Sequence, residues 1–143
     1  MKKLPFGKKP KKIKKWSMKK ADDMFSQWIR TRDGKCLKCA LEGKTTTERL
    51  TCSHYWGRRN AALRYEPDNC ITLCWFRCHK YGWEKEKHGK YRDFMIERLG
   101  IERFEELRSI YYMPSIKMKD AIEKCKQMLD STSEALAEGT EVK

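Results

Sequence analysis

Four cysteines in two short pairs are the residues whose spacing most clearly indicates chemistry. Cys36-x2-Cys39 and Cys74-x3-Cys78 are separated by 34 residues. Each pair can present two thiolates from one turn of chain, and together they complete the tetrahedral four-thiolate set of a closed structural zinc site. The x3 spacing, where x2 is usual, leaves open that His79 replaces one cysteine. We therefore predict structural Zn²⁺, whose binding energy would help to fold the chain.

Three further cysteines, Cys52, Cys70 and Cys125, lie outside these pairs. The odd total of seven disfavours a closed disulfide framework, and the N-terminus has no secretory signal, so we expect a cytoplasmic protein with reduced thiols. Cys125 falls on a predicted helical stripe and is expected to be a small buried hydrophobe. Cys52 and Cys70 are expected to pack beside predicted strands. The alternative, a nucleophilic cysteine near His54, has no other residues to support acyl transfer.

His54, Asn69 and His79 follow one another in an order that suits phosphodiester hydrolysis. That reaction needs a group that deprotonates water and a cation that offsets charge on the phosphate. One neutral imidazole can be the base and another can hold the cation, while an amide can orient the base through a hydrogen bond. We assign these roles to His54, His79 and Asn69 respectively. Their ordinary alternatives are a structural histidine, a zinc ligand and a turn residue.

Two runs of sequence and one dipeptide carry a family resemblance. They are Cys52-Ser-His-Tyr-Trp-Gly-Arg-Arg59, Leu63-Arg-Tyr-Glu-Pro-Asp-Asn-Cys-Ile-Thr-Leu-Cys74 and Cys78-His79. They resemble phage HNH endonucleases, closest to the group that includes the phage lambda NinG recombination proteins. The flanking segments Lys20 to Gly34 and Tyr91 to Leu107 extend the resemblance over residues 20–110.

The resemblance implies a ββα-metal (HNH or His-Me) finger, with two strands ending near His54 and Asn69 and a helix carrying His79. It implies the same three catalytic roles, with Mg²⁺ or Mn²⁺ on His79, and hydrolysis of DNA in phage recombination or processing. Many HNH enzymes have a second metal ligand, Asp or His, directly before the base, where this chain has Ser53, a poor ligand. The cation would then depend on His79, water and substrate phosphate, with His88 as a weaker candidate ligand.

The positive charge of the chain is concentrated at its N-terminus. Residues 1–20 hold ten lysines and no acid, so subtracting these from the net charge of +13 leaves about +3. A basic arm of this kind suits the phosphate backbone of duplex or branched DNA. A solubilising tail, a contact with anionic membranes and binding of RNA are the alternatives. Arg58 and Arg59 would clamp phosphates beside the base, with Arg64 a weaker candidate and a solvated loop the alternative.

The predicted elements are those of an α+β fold with flanking helices. A helix rich in apolar residues from Ala21 onward stops at Gly34, and strands are expected at 50–53 and 70–73. Helical stripes then follow up to Leu129, interrupted at Gly100 and Pro114. We assign residues 1–19 to a disordered basic arm, 20–112 to the HNH domain, 113–130 to a C-terminal helix and 131–143 to a disordered tail.

Two further expectations concern assembly and activity. Cutting both strands would favour a homodimer, which the C-terminal helices could provide. No stretch approaches the roughly 20 apolar residues of a membrane span, so no membrane partner is expected. The alternative to a nuclease is a zinc-stapled DNA-binding module without catalysis, which Ser53 favours.

Overall fold

A computed structural model describes residues 14–46 and 48–137 of the 143-residue chain. Within these residues the chain forms six α-helices and one two-stranded sheet, which confirms a mixed α+β fold. The helices are α1 (Met18–Asp33), α2 (Leu37–Leu41), α3 (Ala61–Arg64), α4 (Lys90–Leu99), α5 (Ile101–Tyr112) and α6 (Met118–Ala137). The strands are β1 (Leu50–His54) and β2 (Cys70–Cys74), and shorter helical turns cover Pro67–Asn69, Trp75–Lys80 and Trp83–Glu86.

The two strands form an antiparallel pair whose register runs from Leu50 opposite Cys74 to His54 opposite Cys70. Because side chains alternate between the faces of a strand, Cys52 and His54 share one face with Cys70. Their face packs against α1, where the Thr72 hydroxyl donates to the backbone carbonyl of Ile29 at 3.2 Å. The sheet is thus a short platform that fixes which residues meet on each side.

Two hydrophobic clusters hold this sheet from opposite sides. The first joins the cysteine pairs to α4 and α5 and is centred on buried Ile71, Leu73, Tyr91, Met95 and Leu107. The second joins α1 to α6 through buried Ala21, Phe25, Ile29, Cys125 and Leu129. Cys125 therefore packs as the small buried hydrophobe that its helical position predicted. Both faces of the sheet are covered, although the chain is only 39% hydrophobic.

The first helix agrees with its predicted end. Its N-cap, Ser17, accepts a hydrogen bond from the Lys20 amide at 3.1 Å. Gly34 closes it in the left-handed conformation with φ 69°, where its amide bonds the Arg30 carbonyl. The predicted basic arm lies outside the described residues up to position 13, and its last residues, Met18 and Lys19, begin α1.

The C-terminal helix differs from its predicted span at both ends. It begins at Met118, after Pro114 has interrupted the chain, and continues to Ala137. Residues 131–137, assigned to a disordered tail, therefore extend the helix, because Glu, Ala and Leu in this stretch favour helix formation. Residues 138–143 lie outside the described residues.

The segment after β2 also differs from the implied finger. His79 lies on a six-residue turn of π type, Trp75–Lys80, and the next α-helix, α4, begins only at Lys90. Within the described residues, the two paired strands are therefore followed by a six-residue π-type turn, where the resemblance implied a helix. Among them, no helix has the length and apolar character needed to cross a membrane.

Candidate functional site

The four paired cysteines meet in one buried cluster. The Sγ atoms of Cys36, Cys39, Cys74 and Cys78 all lie within 4.8 Å of one another. Cys36 and Cys39 are brought together by the first turn of α2, where Cys36 is the N-cap. Cys74 ends β2 and Cys78 lies four residues later on a helical turn, and this spacing returns a side chain to the same side. The cluster could hold a structural metal such as zinc, as the sequence predicted.

The positive charge of Arg77 favours the thiolate form of one cysteine in this cluster. Burial alone would raise the pKa of Cys39, but the Arg77 guanidinium donates to its Sγ at 2.7 Å and, with neighbouring thiols, lowers the pKa to about 7. Burial raises the pKa of Cys74 to about 11. Cys78 Sγ lies 3.6 Å from Cys39 Sγ. The structure brings the four cysteines together and places both nitrogens of His79 elsewhere, beside Thr51 and Glu84, so it favours the four-cysteine set over the alternative with His79.

A second site is an open cleft of about 1080 Å³ beside the sheet. It brings together both histidines of the predicted centre and all three predicted arginines, and it also contains residues that the sequence did not single out. Its lining includes His54, His79, Arg58, Arg59, Arg64, Glu84, Lys87, Trp75, Cys52 and Tyr111. Four basic side chains and one carboxylate in this set give the cleft a positive balance.

His54 is held in one tautomer at this cleft. Its Nε2 lies 2.8 Å from the backbone carbonyl of Arg64. A carbonyl can only accept a hydrogen bond, so Nε2 carries the proton and Nδ1 keeps the lone pair. Burial lowers the pKa of His54 to about 4, and the charge of nearby Arg58 adds to this effect. The imidazole is therefore neutral near pH 7, with Nδ1 as its basic atom.

Asn69 acts on the loop rather than on the imidazole. Its Oδ1 accepts from the Trp56 amide at 2.8 Å, and its Nδ2 donates to the carbonyls of Trp56 and Leu63 at 2.9 and 3.0 Å. The predicted direct hydrogen bond to His54 is therefore wrong, because these contacts occupy the amide. Asn69 instead fixes the loop whose next residue, Arg64, supplies the carbonyl to His54.

The side chain of Arg64 is held by hydrogen bonds to other parts of the protein. Its guanidinium donates to both carboxylate oxygens of Asp22 at 2.8 and 2.6 Å and to the Arg58 carbonyl at 3.0 Å. Burial would raise the pKa of Asp22, but hydrogen bonds from Arg64 and Tyr65 lower it. Three of the five N–H donors of Arg64 are thus bound to protein oxygens, which disfavours its interpretation as a phosphate clamp.

Arg58 and Arg59 are free to meet a ligand. Both are exposed at the cleft, and neither guanidinium forms an ion pair or hydrogen bond with the described part of the chain. Their predicted contact with phosphates stays a prediction. His88, the weaker candidate ligand, is exposed.

Both nitrogens of His79 have partners. The Thr51 hydroxyl donates to the Leu73 carbonyl at 2.8 Å, so it accepts from His79 Nδ1, also at 2.8 Å. His79 Nε2 lies 2.8 Å from Glu84 Oε1. When the imidazole is neutral, Nε2 and Oε1 are two acceptors facing each other. A cation bound between Nε2 and Oε1 would satisfy both acceptors.

Glu84 was not predicted from the sequence, and Gly82 explains how it reaches His79. A Cβ at position 82 would lie 2.6 Å from the Cys78 carbonyl oxygen and 2.8 Å from that of Arg77. Only glycine lets the chain fold so closely over this turn. The fold brings a carboxylate from the next turn, Trp83–Glu86, back to the histidine.

Ser53 faces away from the cleft. It is fully buried, and its hydroxyl lies 2.9 Å from the Tyr91 hydroxyl inside the first hydrophobic cluster. The residue directly before His54 therefore cannot supply a ligand to a cation in the cleft.

Comparison with known proteins identifies one family. The model described as Bacteriophage Lambda NinG protein matches residues 3–138. No curated protein and no solved structure matches the chain.

Proposed function

The chain belongs to the bacteriophage lambda NinG family, and from this we propose that it is a metal-dependent HNH endonuclease that hydrolyses DNA phosphodiester bonds. The observation that carries the proposal is His54, a neutral imidazole of fixed tautomer at a basic cleft. Such a group is suited to take a proton from water near neutral pH. The His79–Glu84 pair in the same cleft offers a place for a cation.

The proposed reaction is hydrolysis with His54 as general base. Water attacks phosphorus, a new P–O bond forms, and the bond to the 3′ oxygen breaks. The proton of the attacking water passes to Nδ1 of His54 while Nε2–H stays on the Arg64 carbonyl. The leaving 3′ oxygen takes up a proton from solvent, so the products carry a 5′-phosphate and a 3′-hydroxyl. Positive charge on the imidazolium is acceptable only transiently, since burial and Arg58 disfavour it.

His79 Nε2 and Glu84 Oε1 fit the implied divalent cation. Their separation of 2.8 Å is close to the roughly 3 Å between neighbouring ligands of octahedral Mg²⁺. The open cleft leaves room for the waters and phosphate oxygens that such a cation prefers. When bound, Mg²⁺ or Mn²⁺ supplies charge stabilisation at the phosphate and at the leaving oxygen. Thr51 fixes the His79 ring so that Nε2 faces Glu84.

Exposed arginines would bind the DNA backbone next to this centre. Arg58 and Arg59 line the cleft with unpaired guanidinium groups, which suit bidentate contact with phosphate. The ten lysines of residues 1–20 would add affinity that does not depend on sequence and weakens with salt.

A plasmid-nicking assay tests the proposal. We expect the wild-type protein to nick supercoiled DNA with Mg²⁺ or Mn²⁺, and His54→Ala to lose about 10²–10⁴-fold in rate. His88→Ala is the matched control, because His88 is exposed, and it should nick at the wild-type rate. The proposal fails if the wild type cuts none of plasmid, flap, four-way-junction and single-stranded DNA with either cation.

The second candidate is a DNA-binding module without catalysis. It is favoured by the burial of Ser53 and by the contacts that occupy both nitrogens of His79. This alternative predicts that DNA is retained in a binding assay by both wild type and His54→Ala, with no cutting by either. Preference for RNA in a competition assay would instead favour an RNA-binding protein.

A further inference from the structure

A second group of metal-binding side chains lies on the α1-facing side of the sheet. Cys52 and His54 are two residues apart on β1, and Cys70 lies opposite His54 in the register. The two Sγ atoms and a ring nitrogen of His54 all lie within 4.8 Å of one another. This cluster shares no ligand with the four-cysteine cluster or with the His79–Glu84 pair.

We propose that Cys52, His54 and Cys70 form a second metal site, which binds a thiophilic divalent cation such as Zn²⁺ and thereby removes His54 from proton transfer. The metal-binding part stands by itself, whereas the inhibitory part rests on the proposed nuclease function.

The ligand chemistry selects the class of cation. Two sulfurs and one imidazole match the soft and borderline ligands of Zn²⁺ and Co²⁺, whereas Mg²⁺ prefers oxygen. Three protein ligands leave the fourth tetrahedral position for water. With Zn–S near 2.3 Å, neighbouring ligands are about 3.8 Å apart, so separations up to 4.8 Å require only small side-chain rotations.

The site is accessible from the cleft. Cys52 is half-buried and lines the cleft, while Cys70 is fully buried behind it. On binding, each thiol forms an S–metal bond and releases its proton to solvent. Two thiolates bind zinc less tightly than four, so the four-cysteine cluster should fill first.

Metal binding and proton abstraction compete for one lone pair. Because Nε2 of His54 carries the proton that is donated to the Arg64 carbonyl, only Nδ1 can ligate a metal without breaking that bond. The same Nδ1 is the proposed base. A bound cation would therefore block the water-activating step while leaving the fold unchanged.

Cobalt titration of the reduced, metal-free full chain tests the metal site. Thiolate-to-cobalt absorption reports only sulfur ligands, so Co²⁺ bound to His79 and Glu84 does not contribute. We expect the wild type to show two phases, one equivalent of Co²⁺ each, with the second about half as intense as the first. Cys52→Ser should lose the second phase and keep the first, which also reports that the variant is folded. Cys125→Ser, a buried cysteine in α6, should keep both.

The proposal is overturned if the wild type saturates in one phase or if Cys52→Ser retains the second. For the inhibitory part, nicking in excess Mg²⁺ is measured as Zn²⁺ is added, each variant relative to its own zinc-free rate. We expect Cys52→Ser to need at least tenfold more Zn²⁺ than wild type for half inhibition, and equal sensitivity would overturn this role. If the wild type does not nick DNA, the nuclease proposal fails while the cobalt titration still decides the metal site.

Discussion

The four-cysteine cluster and the histidine cleft are adjacent, but the cluster is buried and the cleft is open to solvent. In the cluster all four cysteines are buried, and Arg77 donates to the sulfur of Cys39. In the cleft, His54 keeps a lone pair, Arg58 and Arg59 are exposed, and two acceptors of the His79–Glu84 pair face each other. A buried set of sulfurs that a metal ion would complete stabilises the fold, whereas exposed groups at an open cleft are available to a ligand.

The largest effect is expected from removing the metal of the cysteine cluster. Structural zinc contributes on the order of 10 kcal/mol, comparable with the whole stability of a small domain. A chelator under reducing conditions, or Cys39→Ala, should therefore abolish the cooperative thermal transition seen by circular dichroism. Cys125→Ser should respond to chelator as wild type does. An unchanged melting temperature after metal removal would contradict a stabilising role for this cluster.

Replacing Asn69 should destabilise the loop that lines the cleft without affecting the four-cysteine cluster. Asn69→Ala leaves the buried amide and carbonyl of Trp56 without partners, and it removes one hydrogen bond from the Leu63 carbonyl, which keeps the one from the Glu66 amide at 3.3 Å. We expect the free energy of unfolding to fall by about 3–5 kcal/mol in urea titrations. Asn60→Ala, which removes the N-cap of α3 and exposed hydrogen bonds to Tyr111 and Ser115, should cost about 1 kcal/mol. Equal costs for the two variants would show that Asn69 does not hold the loop.

Low pH should destabilise the folded protein, because the buried His54 resists protonation. Its pKa is about 4 in the folded state and about 6.5 when unfolded, so the unfolded chain takes up a proton first as pH falls. This contribution to stability is complete above pH 6.5 and is lost between about 6.5 and 4, by about 3 kcal/mol. His54→Gln should lack this pH dependence. Both proteins share the acid sensitivity of the cysteine cluster, so it cancels when they are compared. If the free energy of unfolding depends on pH in the same way in both proteins, His54 is not the group responsible.

Glu84→Gln tests the facing acceptors of the cleft. The variant removes a charged oxygen from the pair, so we expect the Mn²⁺ concentration for half-maximal binding, measured by electron paramagnetic resonance, to rise about 10–100-fold. Glu86→Gln, on the same turn, is the matched control and should change it little. If Glu84→Gln binds Mn²⁺ as tightly as wild type does, the His79–Glu84 pair is a hydrogen bond and not a cation site.

The smallest change in stability is expected from the exposed arginines. Arg58→Ala and Arg59→Ala should leave the free energy of unfolding within about 0.5 kcal/mol. Each should reduce the slope of log affinity for DNA against log salt by about 0.9. Arg64→Ala should instead lower stability by about 3 kcal/mol, because it leaves Asp22 without its partner. If Arg58 and Arg59 variants bind DNA with the wild-type slope, the backbone contact lies elsewhere.

Local patterns predicted the elements better than the contacts between them. Gly34, Gly100 and the cysteine spacing are local signals, and they predicted the C-terminal ends of α1 and α4 and the four-cysteine cluster. Glu84 could not be predicted, because its meeting with His79 depends on the tight turn at Gly82. The partner of Arg64 is Asp22, 42 residues away, which the sequence presented only as an acid near the start of a helix.

The carbonyl that orients His54 has an evolutionary consequence. The acceptor belongs to the main chain of residue 64, and every amino acid carries that atom. Substitution at position 64 can remove the guanidinium but cannot delete the acceptor. The tautomer of the imidazole is therefore encoded by the path of the loop, and sequence drift at position 64 would leave it intact as long as the loop keeps its course.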